Sequence, residues 1–203
     1  MTKPSDVFDR DHEWGALVEF VASGRPGAAL GLVYGRRRQG KTYLLEALAE
    51  LSGGPYVAAL EQSSTQNLAR AAEAYQRASG ARGRVVFSTW EQAFEALLSL
   101  GEGVAEPVLV VIDELPYLLG AAPEIPSVLQ VLLGPRSAAA KRYRTRLVLC
   151  GSALSIMSGL LSGTAPLRGR ANLELMVHPF SYRDAARFWG TAGDPELSMV
   201  LHA

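Results

Sequence analysis

The 203-residue sequence predicts an α/β fold in which parallel strands form one sheet and helices cover both of its faces. Three observations point there. Short apolar runs alternate with longer amphipathic stretches, the order that parallel strands and helical crossovers produce. The runs AALGLVY and VLVVI are continuously apolar, as strands covered on both faces are. The stretch GRRRQGKT, Gly35 to Thr42, fits the spacing G-x-x-x-x-G-K-[ST] and lies between an apolar run and an amphipathic one. That is the context in which a glycine-rich loop cradles phosphates.

The elements follow in order. HEWGALVEFVASG reads as a helix ended by Gly24. Ala28 to Tyr34 is the first core strand. KTYLLEALAEL is a helix, stopped by Gly53 and Gly54. PYVAAL is a second strand, and the alanine-rich NLARAAEAYQRA is helical. STWEQAFEALLSL is a helix capped by Ser88 or Thr89, with Glu91 or Gln92 three residues on. Pro107 to Glu114 is the plainest strand, five apolar residues ending in two carboxylates. IPSVLQVLLG is helical, with Pro126 in its first turn. RTRLVLCGSA and NLELMVHPF are the last two strands, and SYRDAARFWG opens a final helix.

Composition is that of an ordinary globular chain. Lys plus Arg and Asp plus Glu each number 20, so net charge gives no case for nucleic acid or a membrane surface. The single cysteine, Cys150, sits in an apolar run and reads as a buried, inert thiol. The N-terminus is polar, and no apolar run approaches the about 20 residues that span a bilayer. A cytoplasmic setting is the expectation.

The chemistry concentrates at four places. In the loop, Gly35 and Gly40 let the backbone curl so that N–H groups face an anion, and the helix end adds positive potential. Lys41 can bridge β- and γ-phosphates, and Thr42 can offer its hydroxyl to Mg2+. Asp113 ends a core strand, where a carboxylate can hold Mg2+ through water. Glu114 beside it can polarise the attacking water as a general base. Without the loop, the same pair would read as a polar strand end and a helix cap. Ser152, at the tip of the next core strand, can reach the γ-phosphate or the water; its alternative is an N-cap for ALSIMSGLL. Arg170, better placed than Arg168, precedes the last strand and can neutralise charge on the γ-phosphoryl group; its alternative is a surface arginine paired with a carboxylate. No N-K-x-D base reader is present, which favours ATP over GTP.

With these residues in hand, the chain resembles the ATPase domain of the archaeal-type ATPase family, in the AAA+ and STAND branch of P-loop NTPases. FDRDHEWGAL, VYGRRRQGKT, VIDELPYLL, LVLCGSALSIMSGLLSGTAPLRGR and LELMVHPFSYRDAARFW carry the likeness in order. The resemblance implies a three-layer fold with a five-stranded parallel sheet of order 5-1-4-3-2. It assigns the ATP phosphates to Gly35 through Thr42, including Arg38 and Gln39, and Mg2+ to Thr42 and Asp113. It assigns catalysis to Glu114 and an arginine finger to Arg170, one that often acts on a neighbouring subunit. It also places Val7 to Arg10 and Tyr43 near the adenine and ribose. A P-loop core would cover residues 1–180 and the start of a helical lid residues 181–203, with efficient hydrolysis depending on the rest of the lid.

The expected function is a Mg2+-dependent, ATP-driven switch with slow hydrolysis to ADP and phosphate. A nucleotide-binding adaptor or regulator without turnover is the alternative. A small-molecule kinase, with Glu61 as its faint substrate acid, is the third. Partners implied are ATP and ADP, further copies of the chain or another protein, and nucleic acid only through a region beyond residue 203. The three arginines Arg36, Arg37 and Arg38 are expected to pair with carboxylates beside the loop, or to face a neighbouring subunit or lid.

Overall fold

The computed structural model describes residues 1–191 together with Asp194, Glu196, Leu197 and Val200. Helix α1 (Asp11–Ala22) leads into β1 (Ala29–Tyr34) and α2 (Lys41–Ser52). Strand β2 (Tyr56–Ala58) follows, then α3 (Ser64–Ser79), α4 (Trp90–Ser99) and β3 (Val108–Asp113). Three short helices come next: α5 (Leu115–Ala121), α6 (Ile125–Leu132) and α7 (Ala138–Arg142). The series closes with β4 (Thr145–Gly151), α8 (Leu154–Gly159), β5 (Ala171–Met176) and α9 (Tyr182–Trp189).

All four strand pairings are parallel, and the order is β2-β3-β4-β1-β5, the expected order read from its other edge. Because the strands are covered on both faces, side-chain alternation sorts them into two cores. Leu32, Val110, Ile112, Leu147 and Leu149 face α3 to α6, where Ala71, Phe94, Leu97 and Leu129 are buried. Val33, Val111, Val148 and Cys150 face α1 and α2, against Trp14, Leu17, Leu44 and Leu48. Burial of Cys150 agrees with the inert-thiol reading.

Local signals set most boundaries. Ser63 and Gln66 form a reciprocal capping box on α3. Thr89, not Ser88, caps α4 by accepting from the Gln92 N–H. Helix α1 ends two residues before Gly24, because the Ser23 hydroxyl and N–H both bond the Phe20 carbonyl. Strand β2 is three residues long rather than six, although Pro55 and Ala59 extend its bonding to Val111 and Asp113. Helices α5 and α7 are not legible as sequence patterns: α5 is apolar almost throughout, and α7 is barely more than a turn.

Two close approaches fix the sheet's lower end, opposite the phosphate loop. The guanidinium of Arg146 is fully buried and donates to the carbonyls of Ser23, Arg25, Gly27 and Thr145 and to the Ser23 hydroxyl. At Gly54, a Cβ would lie 2.2 Å from the Leu109 carbonyl oxygen. Gly54→Ala is therefore expected to push β2 off β3 and lower the unfolding free energy by about 2 kcal/mol, measured by urea denaturation.

Candidate nucleotide site

A parallel sheet delivers the residues after its strands to one edge. The register pairs Tyr34 with Gly151 and Leu149 with Ile112, so Gly35, Asp113, Glu114 and Ser152 emerge side by side. Gly35 must be glycine: a Cβ there would sit 2.3 Å from the Val177 carbonyl oxygen. Arg38 (φ 62°) and Gly40 (φ 78°) both take the left-handed conformation, which turns the loop into the first turn of α2. Lys41 is 6% exposed, and its ammonium donates to the carbonyls of Gly35 (2.9 Å) and Arg36 (2.7 Å). An ammonium carries three N–H donors, so this anchoring leaves one for a phosphate oxygen.

Asp113 is 3% exposed and heavily bonded. Its Oδ2 accepts from the Thr42 hydroxyl (2.8 Å) and the Tyr56 hydroxyl (2.6 Å), while Oδ1 accepts from the Glu114 N–H (2.8 Å). Burial alone would raise its pKa. Donors from Cys150, Tyr56, Thr42 and the Glu114 backbone outweigh that and hold it below the ordinary carboxylate value, so it is charged at neutral pH. Burial, reinforced by Asp113, pushes the Tyr56 phenol far up, so it remains a donor. Tyr56 was not foreseen, since it stands 57 residues from Asp113 and only the β2–β3 pairing brings them together.

Glu114 takes a left-handed φ of 53° at the N-terminus of α5. Such a conformation costs a non-glycine residue of order 1 kcal/mol and commonly marks functional positions. Its carboxylate accepts from the Ser152 hydroxyl at 3.2 Å. Ser152 therefore touches the expected base. It does not cap α8, whose N-cap is Ala153 with no side-chain bond.

Beside the loop lies a cavity of about 380 Å³ lined by Asp6, Val7, Phe8, Arg38, Gln39, Gly40 and Tyr43, with Arg10, Phe180, Phe188 and Trp189 completing it. It shares Arg38, Gln39, Gly40 and Tyr43 with a second cavity of about 350 Å³ that reaches Lys41, Thr42 and Glu114. The rings of Phe8, Phe180 and Phe188 meet pairwise at 5.5–5.6 Å between centroids. Phe180, Phe188 and Trp189 were not expected here; the aromatic spacing in HPFSYRDAARFW was the available signal. Tyr43 donates to Asp6, which lowers the carboxyl pKa of Asp6. Arg10 lines the cavity, but its guanidinium is committed to protein: it pairs with Glu13 (3.0 Å), donates to the Gln39 and His178 carbonyls and lies 4.3 Å from the Phe180 centroid.

For the arginines, one alternative of each expectation is not met within the chain. Arg170 is not brought to the phosphate loop of its own chain. Ala171 pairs with Leu30, about 16 Å below Gly35 along the strand direction; Arg170 precedes it, and its guanidinium donates to the Leu133 carbonyl. Nor is a carboxylate the partner of the loop arginines. Arg37 donates to the Tyr117 hydroxyl (2.9 Å), and among the described residues no ion pair includes Arg36, Arg37 or Arg38. Asp113 is bonded to hydroxyls and Glu114 to Ser152.

The donor set fits Mg2+ in the manner of phosphate-bound magnesium, which takes one or two protein oxygens and fills the rest with phosphate and water. Thr42 and Asp113 supply them. Among the described residues no group of three or more His, Cys, Asp or Glu gathers as a metal site by itself. No described helix is long and apolar enough to cross a membrane.

Known proteins share this fold. An uncharacterised protein of Methanocaldococcus jannaschii is 28% identical over 190 residues, covering 93% of this chain and 39% of that protein. A Walker-type ATPase of Pyrococcus abyssi superposes with a TM-score of 0.64 at 22% identity, over 93% of this chain and 59% of its own. The ORC2 protein of Aeropyrum pernix, solved in ADPNP–ADP complexes, gives 0.67 at 18% identity, over 96% and 54% respectively. The chain thus spans less than two thirds of the length of each. A family model described as an ATPase domain predominantly from Archaea matches residues 7–192, and with the phosphate loop, the Asp113–Glu114 strand end and the sheet order all in place, the chain belongs to that family of ATPase domains.

Proposed function

We propose that this domain binds ATP with Mg2+ and hydrolyses it slowly to ADP and phosphate, acting as a molecular switch. One observation carries the reading: Thr42 in the first turn of α2, Asp113 and Glu114 at the end of β3 and Ser152 at the end of β4 form a bonded series beside Lys41.

The loop N–H groups and Lys41 hold the phosphates, and the cavity of Phe8, Tyr43, Phe180 and Phe188 takes the base. Mg2+ at Thr42 and Asp113 would neutralise charge on the β- and γ-phosphate oxygens. Glu114 accepts a proton from water as the water oxygen attacks the γ-phosphorus; the bond to the β–γ bridging oxygen breaks, and ADP leaves with its electron pair. Ser152 donates to the carboxylate and so orients it. In this reading Arg170, which lies away from its own phosphate loop and donates to the Leu133 carbonyl, would serve the nucleotide of a neighbouring copy. Helix α9, whose Phe188 packs on Phe8 and Phe180, would be the first lid helix and would respond to the bound nucleotide. The buried, unpaired Cys150 suits a reducing cytoplasm.

The test is phosphate release with ATP and Mg2+ from wild type, Lys41→Ala and Glu114→Gln. Turnover in wild type alone supports the reading, and equal turnover in all three removes it. Arg37 gives a separate prediction. Its partner is a half-exposed phenol, so Arg37→Ala should cost at most about 1 kcal/mol of stability and leave ATP affinity nearly unchanged in a binding titration. A loss as large as that of Lys41→Ala would mean that the arginine grips the nucleotide.

A further inference from the structure

Asp113 has to do two things at once if the site binds Mg2+. It must stay charged, and it must face Thr42 in one orientation. The Thr42 hydroxyl proton points to Asp113 Oδ2, which leaves the hydroxyl lone pairs free to face a metal. This arrangement fails if the carboxylate turns. Oδ1 is tied to the chain by the Glu114 N–H, but Oδ2 is held only from the side chains around it. Tyr56 supplies the second hydroxyl on that oxygen, at 2.6 Å. With two hydroxyl donors, both lone-pair sites of Oδ2 are filled, so this oxygen is directed away from direct coordination and fixed as the acceptor for Thr42.

We propose that Tyr56 is a positioning residue for the metal site: through Oδ2 of Asp113 it sets the orientation of the Thr42 hydroxyl toward Mg2+. The inference rests on the Mg2+–ATP reading and deepens it. The backbone supports it independently. Tyr56 starts β2 and pairs with Val111, two residues below Asp113 on the same face. Helix α2, which begins next to Thr42, turns through Gly53 and Gly54 directly into β2, and Gly54 lies tight against Leu109 of β3. Thr42 and Tyr56 are thus delivered by the two ends of one short α–β unit to the same carboxylate oxygen.

The test uses Tyr56→Phe, which removes one oxygen and keeps the packed ring. A fluorescent ATP analogue is bound to wild type and variant with no metal, and then with increasing MgCl2. Wild type is expected to bind more tightly as Mg2+ is added. In the variant, metal-free affinity should stay within about twofold of wild type, while the Mg2+ midpoint should rise by about tenfold, the lower range for loss of an outer-sphere partner. A purely structural role would move both measurements or the melting temperature. A Mg2+ midpoint equal to that of wild type overturns the role of Tyr56 alone. Absence of any Mg2+ effect in wild type overturns the Mg2+–ATP reading and this inference with it. A variant that loses metal-free affinity equally also overturns the proposal, because Tyr56 would then be supporting the loop and not the metal site.

Discussion

Replacing Glu114 by glutamine is expected to abolish turnover while ATP stays bound. The change keeps the size of the side chain and the acceptor oxygen that Ser152 can bond, and it removes the basicity. General-base catalysis contributes about 10²- to 10⁴-fold, so the turnover number should fall by at least about 100-fold. ATP affinity should not fall, because Glu114 accepts from Ser152 and touches none of the loop donors in the structure. The left-handed backbone of Glu114 supports this role. Its side chain makes no cap bond on α5. Single-turnover phosphate release together with a binding titration separates the two effects. A variant that hydrolyses at the wild-type rate would remove Glu114 as the base.

The second large effect lies far from the site. Arg146→Ala is expected to destabilise the fold by about 3–4 kcal/mol, because several buried carbonyls lose their donor at once. Among the described residues Arg146 has no carboxylate partner. Its charge is satisfied by carbonyl oxygens of the Ser23–Gly27 turn and of its own strand, and that turn feeds β1 and the phosphate loop beyond it. Burial, with the neighbouring charges of Arg144 and Arg25, pushes its pKa down, so the site tolerates the cation only through these bonds. Arg146→Lys restores part of the donor set and should lose less than the alanine variant. Urea denaturation of both variants checks this, and an alanine variant within 1 kcal/mol of wild type would show that water replaces the guanidinium.

What was legible in the sequence was what is local. The β1–loop–α2 order, the DE at the end of β3 and the caps at Ser63 and Thr89 each depend on residues a few positions apart. They could be read because glycine, charge and hydroxyl positions carry their meaning within one turn or strand. What escaped was set by contacts between distant segments. Tyr56 reaches Asp113 only because β2 joins β3, and Phe180 and Phe188 reach Phe8 only because the chain after β5 returns to the N-terminal segment. Arg10 shows the same effect in reverse. Its place beside the cavity was expected, but its bonds to Gln39, His178 and Glu13 make it a brace between three segments. Arg37 was expected to pair with a carboxylate or to face a neighbouring subunit or lid, and within the chain the fold gives it a phenol. Charge complementarity cannot be assigned from composition alone, because the fold decides which groups come within reach.

A nucleotide site at Gly35–Thr42 is tested most directly by equilibrium binding of a fluorescent ATP analogue, with Mg2+, to wild type and Lys41→Ala. Saturable binding by wild type that unlabelled ATP displaces, and that the variant loses, is the expected result. Equal binding by both proteins, or none by wild type, would contradict it.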